Sequence, residues 1–143
     1  MSLNSEDQSE EQSFEQFVHE KACIVYSTLG ANQPESAYQM ALVYEMRSHS
    51  LINEWPVQYT TELSYPILYK GVEVSTRRVD IFVWLKGVPY AILETKHTRE
   101  SHNFSVGAIS QLKCYMHDLH VDLGILINFP KDACFPSVPD GFT

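Results

Sequence analysis

The sequence predicts a single α+β domain in which helices cover a mixed β-sheet. Apolar residues keep helical spacing before residue 50, whereas residues 55–95 are rich in β-branched and aromatic residues broken by Pro and Gly. After residue 105 a helical period returns, and a continuous apolar run follows it. The predicted order is therefore helix, helix, several antiparallel strands, helix, strand. At 143 residues and 44% hydrophobic, one core is expected.

Two helices are predicted in the first third of the chain. Ser13 and Gln16 fit a capping box at the start of the first helix, and Gly30 is a natural terminator. Pro34 suits the first turn of the second helix, which should run to about His49. Residues 1–12 have little to bury and are predicted to be a disordered acidic leader, so the folded domain should span residues 13–130.

The central region is predicted to form strands, with turns at Lys70-Gly71 and Lys86-Gly87. The predicted strands are 57–61, 65–69, 72–74, 78–85 and 88–95. Residues 105–119 then read as an amphipathic helix, and 123–128 as a strand of the sheet interior. Residues 131–143 hold Pro136, Pro139 and Gly141 and are predicted to be an irregular tail.

Composition narrows the cellular setting. No apolar run approaches the ~20 residues needed to cross a bilayer, and the polar start does not resemble a secretory signal. Cys23, Cys114 and Cys134 are odd in number and widely spaced, which favours reduced thiols over a disulfide framework. We therefore expect an intracellular protein, cytoplasmic or nuclear, that is neither secreted nor bound to a membrane.

The net charge of −8 argues against a nucleic-acid partner, but its distribution weakens the argument. Six of the 18 acidic residues lie in residues 1–20, which contain no Lys or Arg. The rest of the chain has 12 acidic against 10 basic residues and is nearly neutral. This balance is compatible with locally focused phosphate binding without predicting it.

Four charged residues are the candidate site. If Glu35, Asp80 and Glu94 converge, their carboxylates would suit a hard divalent cation, and the ammonium of Lys96 would lie beside it. A divalent cation with an ammonium group beside it is the arrangement expected for hydrolysis of a phosphodiester. The alternative interpretation is that these residues are solvated charges or a surface ion pair.

Convergence depends on the register of the hairpin around Lys86-Gly87. Asp80 lies opposite Glu94 if the loop has three residues, whereas a two-residue loop pairs Asp80 with Leu93 and sends Glu94 to the other face. The site therefore needs the longer loop or a β-bulge that restores the register. Strand alternation predicts that Glu94 and Lys96 share a face while Thr95 points away. His97 is interpreted as an unpaired loop residue.

Several motifs in order along the chain resemble the GxxExxY protein family of the PD-(D/E)XK nuclease superfamily. The resemblance covers about residues 14–130. Asn32, Pro34 and Thr95 depart from the usual family residues. The motifs are Leu29-Gly30-Ala31-Asn32-Gln33-Pro34-Glu35-Ser36-Ala37-Tyr38, Ala41-Leu42, Glu45-Met46-Arg47, Tyr69-Lys70-Gly71-Val72, Arg78-Val79-Asp80, Glu94-Thr95-Lys96 and Gln111-Leu112-Lys113-Cys114-Tyr115.

The resemblance implies a restriction-endonuclease-like core, with a central mixed sheet flanked by helices in αβββαβ order. It also implies roles for matching residues. The residues that match the family motifs and are expected to be catalytic are Glu35, Asp80, Glu94, Lys96 and Gln111, and Tyr115 is expected to contact substrate. A hypothesis about the division of labour follows from this match. In it, Mg²⁺ or Mn²⁺ is bound by Glu35, Asp80, Glu94 and the carbonyl of Thr95, and flanking phosphates are contacted by Arg77 and Arg78.

Two functional classes remain open at this point. The first is a divalent-metal-dependent nuclease that cleaves DNA or, as the less favoured substrate, RNA. The second is a catalytically silent binding or assembly module with the same fold. Retention of the four charged residues favours the first class, and the acidic leader favours the second. Because the chain is small and has no separate recognition domain, we expect a homodimer or a larger nucleic-acid-processing partner that supplies DNA affinity.

Overall fold

The computed structural model describes residues 3–99 and 106–131, with side chains from Phe14 onward. The described elements follow the predicted order. They are α1 (Leu3–Leu29), α2 (Glu35–Ile52), β1 (Val57–Tyr69), β2 (Val72–Leu85), β3 (Val88–Lys96), α3 (Val106–Leu119) and β4 (Leu123–Asn128). The α+β class and the αβββαβ order are confirmed.

Helix α1 begins well before the predicted start near Ser13 and so runs through residues predicted as a disordered leader. Residues 3–12 contain no Gly or Pro, and the Glu and Gln among them are good helix formers. Extending a helix that has already nucleated costs little, because each added residue gains a hydrogen bond. The predicted tail lies outside the described residues, except for Lys131.

The four strands form one sheet in the order β1-β2-β3-β4. The β1–β2 and β2–β3 pairs are antiparallel, and β4 lies parallel to β3 after the α3 crossover. Every residue of β4 is buried, as its continuous apolar sequence predicts. Within the described residues, no helix has the length and apolar character to span a bilayer.

The sheet separates two apolar layers. On one face, α1 and α2 pack against Ile81, Val83 and Leu93 together with alternate residues of β4. On the other face, α3 contributes Leu112 and Met116, which pack with Phe82 and Ile92 among others. The candidate site lies where the pairing of β2 with β3 ends, just beyond Ile81 and Leu93.

The hairpin between β2 and β3 has a two-residue turn and a β-bulge. Leu85 lies opposite Val88 and Trp84 opposite Pro89, so the turn is Lys86-Gly87 with positive φ at both residues. Val83 then lies opposite Ala91, which leaves Tyr90 as the extra residue of the bulge. Beyond the bulge the register runs to Ile81 opposite Leu93. Continued by one residue, it brings Asp80 to the level of Glu94, as the metal-site hypothesis requires.

The β1–β2 ladder changes face next to Asp80. Tyr59 and Ile81 face α1 and α2, whereas Leu63 and Val79, which are also odd-numbered, face α3. Strict alternation would keep all four on one face, so the ladder rotates between them. Glu62 adopts a left-handed backbone there (φ 54°). The rotation turns the outer half of the hairpin around α3 and marks Asp80 as an irregular position.

We predict that Gly124→Ala lowers the free energy of unfolding by about 1–2 kcal/mol, because overpacking a close interface forces side chains to move. A β-carbon on Gly124 would lie 2.5 Å from Met116 Sδ and 3.0 Å from Leu112 Cγ. Urea denaturation measures the change. The matched control is Gly107→Ala on the exposed start of α3, which should be neutral or stabilising. Equal effects of the two substitutions would contradict this packing of α3 on β4.

Candidate functional site

Asp80 is held by side chains from two other elements. Its backbone N–H donates to Glu94 Oε1 (2.9 Å), and its carbonyl oxygen accepts from Gln39 Nε2 of α2 (3.1 Å). Its carboxylate Oδ2 accepts the backbone N–H of Thr95 (2.9 Å). Side chains thus bridge β2 and β3 beyond the last described backbone pair, Ile81 and Leu93. The bonds bring the two predicted carboxylates, Asp80 and Glu94, together.

Glu94 is buried, with 4% of its surface exposed, and its carboxylate interacts with the side chain of Asp80. Burial raises the pKa of Glu94 from about 4.5 to about 8, and the negative charge of Asp80 adds to the rise. The Asp80 N–H and the charge of Lys96 act in the opposite direction. An ionised Glu94 therefore carries a free-energy cost that a nearby cation would reduce.

Thr95 does not point away from the site as strand alternation predicts. Its hydroxyl donates to Asp80 Oδ2 at 3.2 Å, in addition to the bond from its backbone N–H. The prediction is wrong because Asp80 reaches across to β3, beyond the described backbone pairs of β2 and β3. Asp80 Oδ2 therefore receives two hydrogen bonds from one residue.

Glu35 lies within electrostatic reach of Lys96 and Asp80, and Lys96 lies within electrostatic reach of Glu94. Glu35 is the first residue of α2 and is exposed, yet partial desolvation raises its pKa. Lys96 lowers that pKa, Asp80 raises it, and His97 and Lys131 lower it further. The four charged residues singled out from the sequence thus approach one region, which also receives His97 and Lys131.

The loop before Glu35 is organised by Tyr38. This fully buried tyrosine donates its hydroxyl proton to the Gly30 carbonyl (2.5 Å) and accepts the Gln33 N–H (3.2 Å). Its ring stacks on Phe129 with centroids 4.8 Å apart and lies against His97. Tyr38 therefore joins the start of α2 to the segment after β4.

The remaining predicted site residues, two on α3 and two arginines on β2, differ in burial and in their distance from the carboxylates. Tyr115 is buried, and besides this desolvation the charges of Glu94 and Asp80 raise its pKa, so it lies near both carboxylates. Arg77 Nη1 donates to Cys114 Sγ at 2.6 Å. Gln111 is exposed on α3. Arg78 is exposed and lies 3.9 Å from Glu62, so the structure does not bring it to the carboxylates.

Two residues that the sequence analysis did not assign to the site hold it together. Gln39 follows Glu35 by one helical turn and bonds Asp80. His97 is not unpaired as predicted, because its Nδ1–H donates to the Phe129 carbonyl (2.7 Å). The spacing of Glu35 and Gln39 on one helix face was a usable signal for Gln39. The contacts of His97 with the Phe129 carbonyl and with the Tyr38 ring join residues far apart in the sequence, so the residues around His97 do not predict them.

The carboxylate pair fits a hard divalent cation in its chemistry. Asp80 uses Oδ2 and Glu94 uses Oε1 for the hydrogen bonds described above, and each carboxylate has a second oxygen that could bind a cation. Two neighbouring carboxylates, one of them buried, also form an environment that favours a positive charge. Among the described residues, however, no three His, Cys, Asp or Glu side chains lie in an arrangement that could hold a metal ion. The third proposed ligand, Glu35, is near the pair without completing such a group.

We predict that Glu94→Gln stabilises the metal-free protein, and more so as the pH rises. In the wild type, the folded state keeps the Glu94 proton up to about pH 8 while the unfolded state loses it near 4.5, so stability falls between these values. Glutamine removes that loss, so the stability advantage of Glu94→Gln over the wild type should be roughly 3–4 kcal/mol larger at pH 8 than at pH 5. Urea denaturation in the presence of a chelator measures it.

The control for this prediction is Glu73→Gln, because Glu73 is exposed on the outer hairpin. Its effect on stability should be small at both pH values, since solvent screens an exposed charge. A stability difference for Glu94→Gln that stays constant from pH 5 to pH 8 would refute the burial argument.

A sequence profile of the PD-(D/E)XK nuclease superfamily matches residues 12–138. No curated protein and no solved structure matches the chain significantly. The matched range includes all seven elements except the start of α1, and it includes every residue of the candidate site. The chain therefore belongs to the PD-(D/E)XK nuclease superfamily.

Proposed function

We propose that this protein is a Mg²⁺- or Mn²⁺-dependent nuclease that hydrolyses phosphodiester bonds of DNA. The superfamily suggests a nuclease, and its members generally depend on a divalent metal. The observation that carries the proposal is the pairing of Asp80 with the buried Glu94, within electrostatic reach of Lys96 and Glu35. RNA is the less favoured substrate. The assignment to the GxxExxY family is also part of the proposal.

Each residue has a distinct role in this proposal. Asp80, Glu94 and the carbonyl of Thr95 would hold the cation, with Glu35 as a direct or water-mediated ligand. When bound, the metal supplies Lewis-acid stabilisation of charge on the phosphate and lowers the pKa of coordinated water. Lys96 orients the attacking water and stabilises negative charge on the phosphate.

The proposed contacts with substrate are assigned from where each residue lies relative to the carboxylates. Lys96, His97 and Lys131 lie near Glu35 and offer positive or hydrogen-bonding groups to the DNA backbone. Gln111 is exposed and would contact substrate from α3, whereas Tyr115 is buried near the carboxylate pair. Arg77 and Arg78 remain candidates for flanking phosphates.

We predict that Lys96→Met abolishes DNA cleavage and leaves the fold intact. Loss of a cation that stabilises transition-state charge costs on the order of 100-fold or more in rate. Cleavage of single-stranded, duplex and branched DNA is measured with Mg²⁺ and with Mn²⁺, and circular dichroism checks the fold. Lys70→Met is the matched control, since Lys70 lies at the exposed hairpin turn. Equal cleavage by wild type and Lys96→Met would disprove the role of Lys96.

A binding or assembly module is the second candidate, and the net charge of −8 favours it. Calorimetric titration with Mn²⁺ separates the two functions. For the nuclease, we predict micromolar binding that is lost in Asp80→Asn, because this change removes a charged oxygen ligand and keeps the side-chain size. Binding that is absent from the wild type, or that survives in Asp80→Asn, favours the module.

A further inference from the structure

We propose that Gln39 is a positioning residue that sets the distance between Glu35 and Asp80, a role that rests on the proposed function. Gln39 is buried, with 7% of its surface exposed, and its side-chain amide donates to the Asp80 carbonyl at 3.1 Å. Gln39 is not one of the four charged residues of the candidate site, and it acts through the main chain of Asp80.

The geometry of α2 gives this bond its leverage. Glu35 and Gln39 are four residues apart, so they lie on the same side of the helix, one turn from each other. Glu35 is the first residue of α2, and its long side chain is exposed. A bond from the next turn to Asp80 fastens this end of the helix to β2, and thereby places Glu35 relative to Asp80.

The backbone around Asp80 shows why such a fastening is needed. Asp80 lies where the β1–β2 ladder rotates, opposite the left-handed Glu62 (φ 54°), and just beyond the last described β2–β3 pair. A residue in a regular sheet interior is held by strand ladders on both sides. At Asp80, the amide instead donates to Glu94, and the carbonyl accepts from Gln39. Removing the amide of Gln39 therefore loosens the residue that carries one of the two paired carboxylates.

A second buried bond on the same helix provides a matched control. Ser50 is 4% exposed, and its hydroxyl lies 3.0 Å from Tyr59 Oη on β1. Like the Gln39 bond, it ties α2 to the sheet, but it lies three turns further along the helix. Losing either bond should lower the stability of the protein by a similar amount, whereas only the loss of the Gln39 bond should affect the site.

The test compares wild type, Gln39→Met and Ser50→Ala for Mn²⁺ affinity and for amide hydrogen exchange. Methionine nearly matches glutamine in size and lacks the donor. We expect the Mn²⁺ dissociation constant to rise about tenfold or more in Gln39→Met, as for other residues that orient metal ligands, and to change less than about twofold in Ser50→Ala. Exchange in residues 79–82 and 94–96 should be faster only in Gln39→Met.

Gln39→Leu provides a second test should the methionine variant fold poorly, because leucine has no donor for the Asp80 carbonyl. It should also speed exchange around Asp80. Equal effects of Gln39→Met and Ser50→Ala on exchange would overturn the proposal, and so would wild-type exchange in Gln39→Leu. Absence of Mn²⁺ binding by the wild type would instead refute the nuclease function, and the exchange comparison would still decide the role of Gln39.

Discussion

The site depends on one structural constraint, which is the register of β3 against β2. The tight Lys86-Gly87 turn alone would place Leu93 opposite Asp80, with Glu94 on the wrong face. The extra residue Tyr90 shifts the pairing by one and brings Glu94 to the level of Asp80. Tyr90 is half-buried, and its ring packs edge-on against Phe14 of α1, so the bulge is supported by the core. A local backbone irregularity thus determines whether two carboxylates meet.

Once β2 and β3 leave their regular pairing, side chains replace the ladder, and they come from different layers. Gln39 comes from the α1 and α2 layer, while the buried Tyr115 approaches from α3 on the opposite face. The segment after β4 also contacts this region, because Phe129 stacks on Tyr38 of α2. Because each layer contributes a contact, folding of the whole domain is needed to form the site. This distribution explains why a short stretch of sequence cannot specify it.

Sequence patterns predicted the elements that depend on neighbouring residues, and failed for features that depend on contacts between residues far apart in the sequence. The six residues of β4 were predicted to the residue, because a continuous apolar run between polar residues has one simple interpretation. The register of the β2–β3 hairpin could only be posed as a condition, since a bulge leaves no clear mark in the residue types. The orientation of Thr95 relative to the site was predicted wrongly, because the Asp80 carboxylate reaches across to β3 and accepts the Thr95 hydroxyl. Gln39 was missed because its partner is 41 residues away.

A chain with net charge −8 can still present a favourable surface to a polyanion, since electrostatic interactions in salt solution are short-ranged. The Debye length is about 8 Å at physiological ionic strength, so acidic residues further from the site than this are largely screened from it. Within that range of Glu35 the relevant charges are local, and Lys96, His97 and Lys131 oppose the carboxylates there. A cation between Asp80 and Glu94 would shift the local balance further toward positive. The overall charge therefore affects the rate of encounter with nucleic acid more than it affects the chemistry at the site.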